Sequence, residues 1–328
     1  MTTITSSIRQ MNINSLFGKS EPSQLGKMPL RINGLLPGQL VRVRSFDEIR
    51  QTLDRNGCYQ GLPFMPEMER YCGKSFRVLQ RAEKTCVLNK PVRKLAGTVT
   101  LEGLRCDGSS HDGCQLSCMF FWREAWLTRV SPKIDNGLSV HPSPQANEVL
   151  KAKSRPDLYF CQATELYNAT TKDVPWWNPG QYLQDLRSHT HSLYGIALQF
   201  WRLVCEKIMW LRVRTHEVPG AAMCSKNEEE NLSLHPGELV QVKTPAEILQ
   251  TLDRDGKFQG LFFTMDMFRC CGARFPVAVR VDRLIDESSG KMRMVKNTVF
   301  LDRCICDRRR GCARNMCFLW REIWLRRV

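Results

Sequence analysis

Two stretches of the chain alternate apolar and polar residues in the same way, and each leads into a helix signal. Residues 40–44, LVRVR, have the period of a half-buried strand, and Ser45 with Glu48 forms a capping box that predicts a short helix to about Leu53. Thr244-Pro245-Ala246-Glu247 repeats the signal, with proline at the first helical position, where a missing N–H is harmless. A glycine-containing turn follows each signal, so both stretches predict strand, helix and turn.

These stretches belong to an internal duplication. Residues 37–62 match residues 236–261 at sixteen of twenty-six positions without a gap. A further predicted strand, TVTL in one copy and TVFL in the other, leads directly into a cysteine-containing loop. We therefore predict an α+β fold made by tandem duplication of a small strand-rich, barrel-like domain with one short helix and a Cys-rich loop. The predicted boundaries are 1–36 for a flexible leader, 37–130 for repeat one, 131–235 for a linker and 236–328 for repeat two.

Each repeat closes on a pair of tryptophans. The sequences WREAWLTRV and WREIWLRRV place Trp122 and Trp126, or Trp320 and Trp324, four residues apart. At helical spacing the two indoles share one face. We therefore predict that the closing segment is amphipathic and helical, and that both tryptophan pairs pack into the core of their repeat.

The linker has no second copy in the chain and is predicted to be partly helical. Residues 131–156 are rich in Pro, Ser and Asn, with a short helical run near 147–152. Tyr194–Val213 is a longer helix candidate, and polar residues interrupt it at Gln199, Arg202, Glu206 and Lys207. These polar groups argue against a transmembrane segment and favour a helix packed on both repeats.

The fifteen cysteines cluster at short spacings instead of spreading as a disulfide framework. The first twenty residues lack a basic region followed by an apolar one, so no secretory signal is predicted. Both observations favour a reducing compartment, and we predict a cytoplasmic protein. Clustered cysteines in such a compartment are typical metal ligands.

The duplication sorts the cysteines into two matching sets of four. Four thiolates brought together form a tetrahedral zinc site or an iron–sulfur site, so Zn²⁺ and an iron–sulfur cluster both remain open as cofactors. Unliganded buried thiols are the alternative, since free cysteine packs as a small hydrophobe. The predicted ligands are Cys72, Cys106, Cys114 and Cys118 in repeat one and Cys271, Cys306, Cys312 and Cys317 in repeat two.

Repeat one carries two possible additional ligands, Cys86 and His111, that repeat two does not match. The sequence CDGSSH at 106–111 resembles the CDGSH motif of an iron–sulfur family whose cluster is held by three cysteines and one histidine. The resemblance covers six residues, carries one extra serine and lacks the upstream C-x-C of that family. It makes Cys106 and His111 a candidate ligand pair, and the asymmetry favours an iron–sulfur cluster in repeat one.

The formal charge of +15 favours acidic partners, and the densest basic run is Arg308-Arg309-Arg310. The chain contains none of the Walker, G-x-G-x-x-G, H-E-x-x-H, G-x-S-x-G or radical-SAM motifs, so whether it is an enzyme stays open. The leading hypothesis is a metal-binding accessory or scaffold protein that engages a partner protein or acidic ligand. An iron–sulfur redox protein or enzyme of a specialised biosynthetic pathway is the alternative, and a nucleic-acid-binding protein is the third.

Overall fold

A computed structural model describes residues 34–87, 92–130, 150–175, 177–187, 231–306 and 312–328, with isolated positions between 193 and 201. Both repeats and the described part of the linker belong to one compact unit, Asn33–Val328. The predicted leader up to residue 33 and the basic run in repeat two lie outside the described residues. So does most of the helix predicted at Tyr194–Val213.

Repeat one folds as a curled five-stranded antiparallel sheet with one short helix and two small hairpins. The helix α1 spans Phe46–Arg50, and the predicted capping box is present, since the Ser45 hydroxyl accepts from the Glu48 backbone N. The strands are β1 (Leu40–Val43), β2 (Cys58–Tyr59), β3 (Leu62–Pro63), β4 (Ser75–Arg81), β5 (Lys84–Cys86), β6 (Val92–Lys94), β7 (Thr98–Arg105), β8 (Met119–Arg123) and β9 (Leu127–Arg129). The sheet order is β8-β7-β4-β1-β9, and β2–β3 and β5–β6 form the hairpins.

The described part of the linker contains one small hairpin and two helices. Its elements are β10 (Lys153–Arg155), β11 (Leu158–Tyr159), α2 (Leu166–Ala169) and α3 (Pro179–Arg187). Within the described residues no helix is long and apolar enough to cross a membrane.

Repeat two has the same topology as repeat one, which confirms the tandem duplication of a strand-rich domain. Its strands are β12 (Leu239–Val242), β13 (Lys257–Phe258), β14 (Leu261–Phe262), β15 (Arg274–Arg280), β16 (Arg283–Asp286), β17 (Lys291–Met294), β18 (Thr298–Ile305), β19 (Cys317–Arg321) and β20 (Leu325–Arg327). The sheet order is β19-β18-β15-β12-β20, and the helix α4 spans Pro245–Leu249.

The closing segment of each repeat explains the curl of its sheet. The strands β8 and β9 lie at opposite edges of the sheet, yet only a 3₁₀ turn at Glu124–Trp126 separates them in sequence. The two edges must therefore come close together, which bends the sheet into a half-barrel. The prediction that this segment is helical is wrong, but both Trp122 and Trp126 are fully buried in the core as expected.

The linker packs on repeat one through Gln162, a buried side chain that completes the edge of β8. Its Oε1 accepts from the backbone N of Phe121 at 2.8 Å, and its Nε2 donates to the carbonyls of Phe121 and Pro63, both at 2.9 Å. A side-chain amide here takes the place of a neighbouring strand. This part of the linker is thus part of the core structure of repeat one.

Side chains of repeat one form hydrogen bonds with backbone groups of repeat two. The Oε1 atom of Gln115 accepts from the backbone N atoms of Asp282 and Arg283 at 2.7 and 3.0 Å. On the other side, Nη2 of Arg105 donates to the carbonyl of Asn315 at 3.0 Å. The Gln115 contacts place the loop between β7 and β8 against the start of β16, and the Arg105 contact places the end of β7 against the segment that precedes β19.

Both repeats make the same two-residue hairpin turn between their second and third strands. Gln60 and Gly61 have φ values of 51° and 73°, and Gln259 and Gly260 have φ values of 47° and 78°. Positive φ at both turn residues is the geometry of a type I′ turn. Gly61 differs in its surroundings, because a Cβ there would lie 2.4 Å from the carbonyl oxygen of Asn168, whereas nothing lies within 4 Å at Gly260.

This difference predicts unequal costs for the same substitution in the two repeats. Gly260→Ala should lower the free energy of unfolding by about 1–2 kcal/mol, because alanine disfavours positive φ. Gly61→Ala should cost clearly more, since the new methyl group also pushes α2 away from repeat one. Urea unfolding of the two variants measures the difference, and equal losses would show that the contact with Asn168 is not rigid.

Candidate metal centre

Three potential ligands meet in repeat one. Glu67 lies in the 3₁₀ turn Pro66–Tyr71, while Cys106 and His111 lie in the loop that follows β7. One ligand atom from each lies within 4.8 Å of the other two, and within the described part of the chain this is the one set of three that does so. Glu67 is 3% exposed and His111 is 1% exposed, so both are shielded from solvent, whereas Cys106 is partly exposed. We call these three residues the metal triad.

The carboxylate of Glu67 is only half satisfied. Its Oε1 lies 2.8 Å from Nδ1 of His111 and 3.8 Å from Sγ of Cys106, and it accepts from the backbone N of Ser110 at 3.1 Å. Its Oε2 is buried and has no hydrogen-bond partner among the described residues. A buried carboxylate oxygen without a partner is costly, so an additional donor or a cation at this atom would be favourable.

The histidine has the orientation that a metal ligand needs. Its Nε2 lies 3.3 Å from the carbonyl of Phe160 in the linker, while Nδ1 faces Glu67 and Cys106. Metal-binding histidines commonly donate their second N–H to a carbonyl or carboxylate, which fixes the tautomer and the ring orientation. The linker therefore supplies the second hydrogen-bond partner of the His111 ring.

The electrostatics of the triad depend on burial and on the contact between Glu67 and His111. Burial acts to raise the pKa of Glu67, but the hydrogen bond and charge of His111 outweigh burial and hold that pKa below its ordinary value. Burial, followed by the Glu67 charge, raises the pKa of the Cys106 thiol. Without a bound cation, we therefore expect Glu67 to be a carboxylate and Cys106 to be a neutral thiol.

The loop that carries Cys106 and His111 is held tightly. Gly108 has φ +72°, and a Cβ there would lie 2.1 Å from the carbonyl oxygen of Cys114. The Asp107 carboxylate accepts from Nη1 of Arg70 at 2.7 Å, which ties the loop to the turn that carries Glu67. The Arg70 hydrogen bond also holds the pKa of Asp107 well below its usual range.

A cavity of about 40 Å³ lies beside the metal triad, and its lining comes from both repeats and the linker. This volume is enough for a few water molecules or a small ligand group. Cys106 and His111 form part of its wall, and Ile285 and Met316 of repeat two close it from the other side. We call it the inter-repeat cavity.

The structure separates the four predicted thiols of repeat one into two groups. Cys106, Cys114 and Cys118 all line the inter-repeat cavity, whereas Cys72 follows the 3₁₀ turn and packs against the hydrophobic core. Burial raises the pKa of Cys72 and of Cys118 to about 12. Among the described residues, the four sulfur atoms do not form a set within 4.8 Å of one another.

The four predicted thiols of repeat two are also distributed over different places. Cys271 follows the matching 3₁₀ turn, Cys306 directly follows β18, and Cys317 begins β19. Cys312 lies against Cys86 of repeat one, with 2.9 Å between the sulfur atoms. Within the described residues these four thiols likewise form no close set.

Repeat two contains a disulfide that the sequence interpretation did not foresee. Cys270 and Cys304 are bonded to each other. Tyr71 and Leu104 stand at the matching positions of repeat one, so the cross-link belongs to repeat two alone. The prediction of a reducing compartment gives no reason to expect this bond.

Sequence reasoning also missed Glu67 and Cys161. Glu67 has an acidic counterpart, Asp266, in the 3₁₀ turn of repeat two. An acidic residue present in both copies of an apolar stretch could therefore have marked this position in the sequence. Cys161 lies in the linker and lines the inter-repeat cavity. It has no counterpart for comparison, and no sequence signal marked it.

Comparison of the chain with protein-family models, with curated proteins and with solved structures finds no match. The chemistry of the metal triad and of the inter-repeat cavity is therefore the basis for any functional interpretation.

Proposed function

We propose that this chain is a metal-binding protein that holds one Zn²⁺ ion in repeat one, with Glu67, Cys106 and His111 as ligands. The observation that carries the proposal is the buried Oε2 atom of Glu67, which has no hydrogen-bond partner among the described residues. A cation bound there would satisfy this oxygen and would convert the neutral Cys106 thiol into a thiolate.

The donor set favours Zn²⁺ over Ca²⁺ and Mg²⁺. One thiolate, one imidazole and one carboxylate are all zinc ligands, while Ca²⁺ and Mg²⁺ prefer oxygen alone. Three protein ligands leave a fourth position, as in zinc sites that bind water or a substrate. Because Cys106 and His111 line the inter-repeat cavity, that position is expected to be accessible from it.

An iron–sulfur cluster is the second candidate, and the cavity lining favours it. Cys106, Cys114, Cys118 and Cys161 all contribute to the cavity wall, and four thiolates are the usual cluster ligands. Anaerobically purified protein that is brown and contains acid-labile sulfide would favour the cluster. Colourless protein that contains zinc would favour the triad.

The wider role that fits a metal-binding protein without a recognised catalytic motif is that of an accessory or scaffold protein. The net charge of +15 supports an acidic partner protein or ligand, with nucleic acid as a less favoured partner. A cytoplasmic location remains part of this proposal.

Metal titration of ligand variants tests the proposal directly. The reduced full-length chain, first stripped by a chelator, should bind about one Co²⁺ or Zn²⁺ per chain with the absorption of a cobalt–thiolate bond. Glu67→Gln, Cys106→Ser and His111→Gln should each weaken binding by about 100-fold or more, because each removes a ligand. Asp266→Asn is the matched control in repeat two and should leave binding unchanged.

The same titration separates the metal triad from the four-thiol set predicted from the sequence. Cys72→Ser should bind metal normally if the triad is the site. Loss of metal binding in Cys72→Ser or Cys114→Ser, together with normal binding in Glu67→Gln and His111→Gln, would show that the thiols hold the metal and the triad does not. A chain that binds no metal under reducing, metal-replete conditions would contradict both.

A further inference from the structure

Two sulfur atoms, one from each repeat, lie close together, and neither belongs to the metal triad. Cys86 ends β5, and a parallel β-bridge between Lys84 and Cys312 holds the two chain segments side by side. The Sγ atoms of Cys86 and Cys312 are 2.9 Å apart. Since a disulfide bond is about 2.05 Å long, an approach of about 1 Å would bring them to bonding distance.

The surroundings of Cys312 favour a negatively charged sulfur. Its Sγ accepts from the backbone N of Cys86 at 3.3 Å, and the backbone N and guanidinium of Arg314 give further support. Glu287 holds that guanidinium in place, with Nη1 and Oε2 2.8 Å apart. The hydrogen bond from the Cys86 thiol, acting against burial, lowers the pKa of Cys312, and the same contact raises the pKa of Cys86.

The two sulfurs differ in their access to solvent. Cys312 is buried, at 3% exposed, whereas Cys86 is partly exposed. An external reagent therefore reaches Cys86 first, and Cys312 is placed to complete the reaction from the inside.

We propose that Cys86 and Cys312 form a thiol–disulfide exchange site that reacts with small-molecule disulfides and reversibly links the two repeats. This proposal does not depend on the metal triad, because neither cysteine belongs to it. It also accounts for a feature of the duplication, since Cys86 has no counterpart in repeat two and finds its partner in the other repeat.

The reaction balances with a small disulfide RSSR as the oxidant. As Sγ of Cys86 attacks RSSR, its proton passes to the Cys312 thiolate 2.9 Å away, so that a mixed disulfide forms on Cys86 and RS⁻ is released. This RS⁻ removes the proton from Cys312 and leaves as RSH. The Cys312 thiolate then attacks Sγ of Cys86, breaks the mixed disulfide and releases the second RS⁻. Two electrons pass from the two cysteines to RSSR, and excess thiol reverses the steps.

Peptide mapping tests this site. The reduced full-length protein is treated with oxidised glutathione, its remaining thiols are alkylated, and its peptides are analysed by mass spectrometry. We expect a joined Cys86–Cys312 peptide pair that disappears after treatment with dithiothreitol. In Cys312→Ser the joined pair should be lost, and glutathione should remain attached to Cys86 because the resolving thiol is missing.

Two controls keep the outcome specific. The first control is Cys58→Ser. Cys58 is buried, and its Sγ contacts the carbonyl of Asn56 at 3.8 Å instead of another thiol, so this variant should form the Cys86–Cys312 link normally. Glu67→Gln should also form it, so failure of the metal proposal leaves this result unaffected. Alkylation of Cys86 and Cys312 as separate free thiols after oxidation would overturn the proposal, as would stable glutathione on Cys86 in the wild-type protein.

Discussion

Replacing Asp185 with leucine is expected to lower the free energy of unfolding by about 3–5 kcal/mol, because it leaves a buried ammonium group without its carboxylate. Nζ of Lys84 lies 2.6 Å from Oδ2 of Asp185, and the two side chains are only 5% and 3% exposed. Burial lowers the pKa of Lys84, and the Asp185 charge opposes that shift. The pair joins β5 of repeat one to α3 of the linker.

Replacing both partners should recover most of the loss. In the double variant Lys84→Met/Asp185→Leu both charges of this pair are absent, and apolar replacements of buried ion pairs are often close to neutral. Urea unfolding of the two single variants and the double variant gives the coupling between the residues. If the double variant loses as much as the two single variants together, the cost comes from packing instead of charge.

An exposed ion pair at the linker provides the matched control. Nζ of Lys291 lies 3.4 Å from Oδ2 of Asp157, with the side chains 57% and 65% exposed. Asp157→Asn should therefore change the free energy of unfolding by at most about 1 kcal/mol. A large loss in this variant would mean that any change in the linker destabilises the protein.

The architecture of each repeat was predictable because its signals are local. The alternation at Leu40–Val43 and the capping box at Ser45 depend on a few neighbouring residues, and the structure has both. The closing segment was misjudged for the same reason. A spacing of four residues between the two tryptophans fits a helix. Here the first tryptophan lies in β8 and the second in the 3₁₀ turn that joins the two edges of the sheet. Local periodicity does not reveal this arrangement, because it depends on how the strands pair.

The contacts of the cysteines were less predictable because they depend on how the repeats pack. Comparison of the two copies assumes that each copy builds its own site from matching residues. The structure instead pairs Cys86 of repeat one with Cys312 of repeat two. It also adds Cys161 from the linker to a cavity wall that both repeats share. Neither contact follows from the internal alignment.

The role of the linker was also hidden from the sequence. Gln162 and Asp185 both lie in a segment without a second copy, and each is a polar residue in a stretch without clear periodicity. Their importance comes from burial against repeat one, where unsatisfied polar groups are costly. Such residues become visible only when the structure gives their partners.

Zn²⁺ at about 1,000 times its dissociation constant is expected to raise the free energy of unfolding by about 4 kcal/mol, because the ion binds the folded state. The metal-free chain should nevertheless remain folded. Small zinc modules unfold without metal because they lack a sufficient core. Here Trp122, Trp126 and Leu101 are almost completely buried in a hydrophobic core that the triad does not complete.

Thermal unfolding of the stripped protein, with and without added Zn²⁺, measures this effect under reducing conditions. The wild-type protein and Asp266→Asn should both gain stability, whereas Glu67→Gln should keep at most about 1.4 kcal/mol of the gain, because binding that is about 100-fold weaker leaves the ion only about ten-fold above its dissociation constant. Binding of Zn²⁺ to cysteines of the unfolded chain would reduce the shift equally in all three proteins. A stripped protein without a cooperative transition would show that the core alone is insufficient, and a full gain in Glu67→Gln would place the ion outside the metal triad.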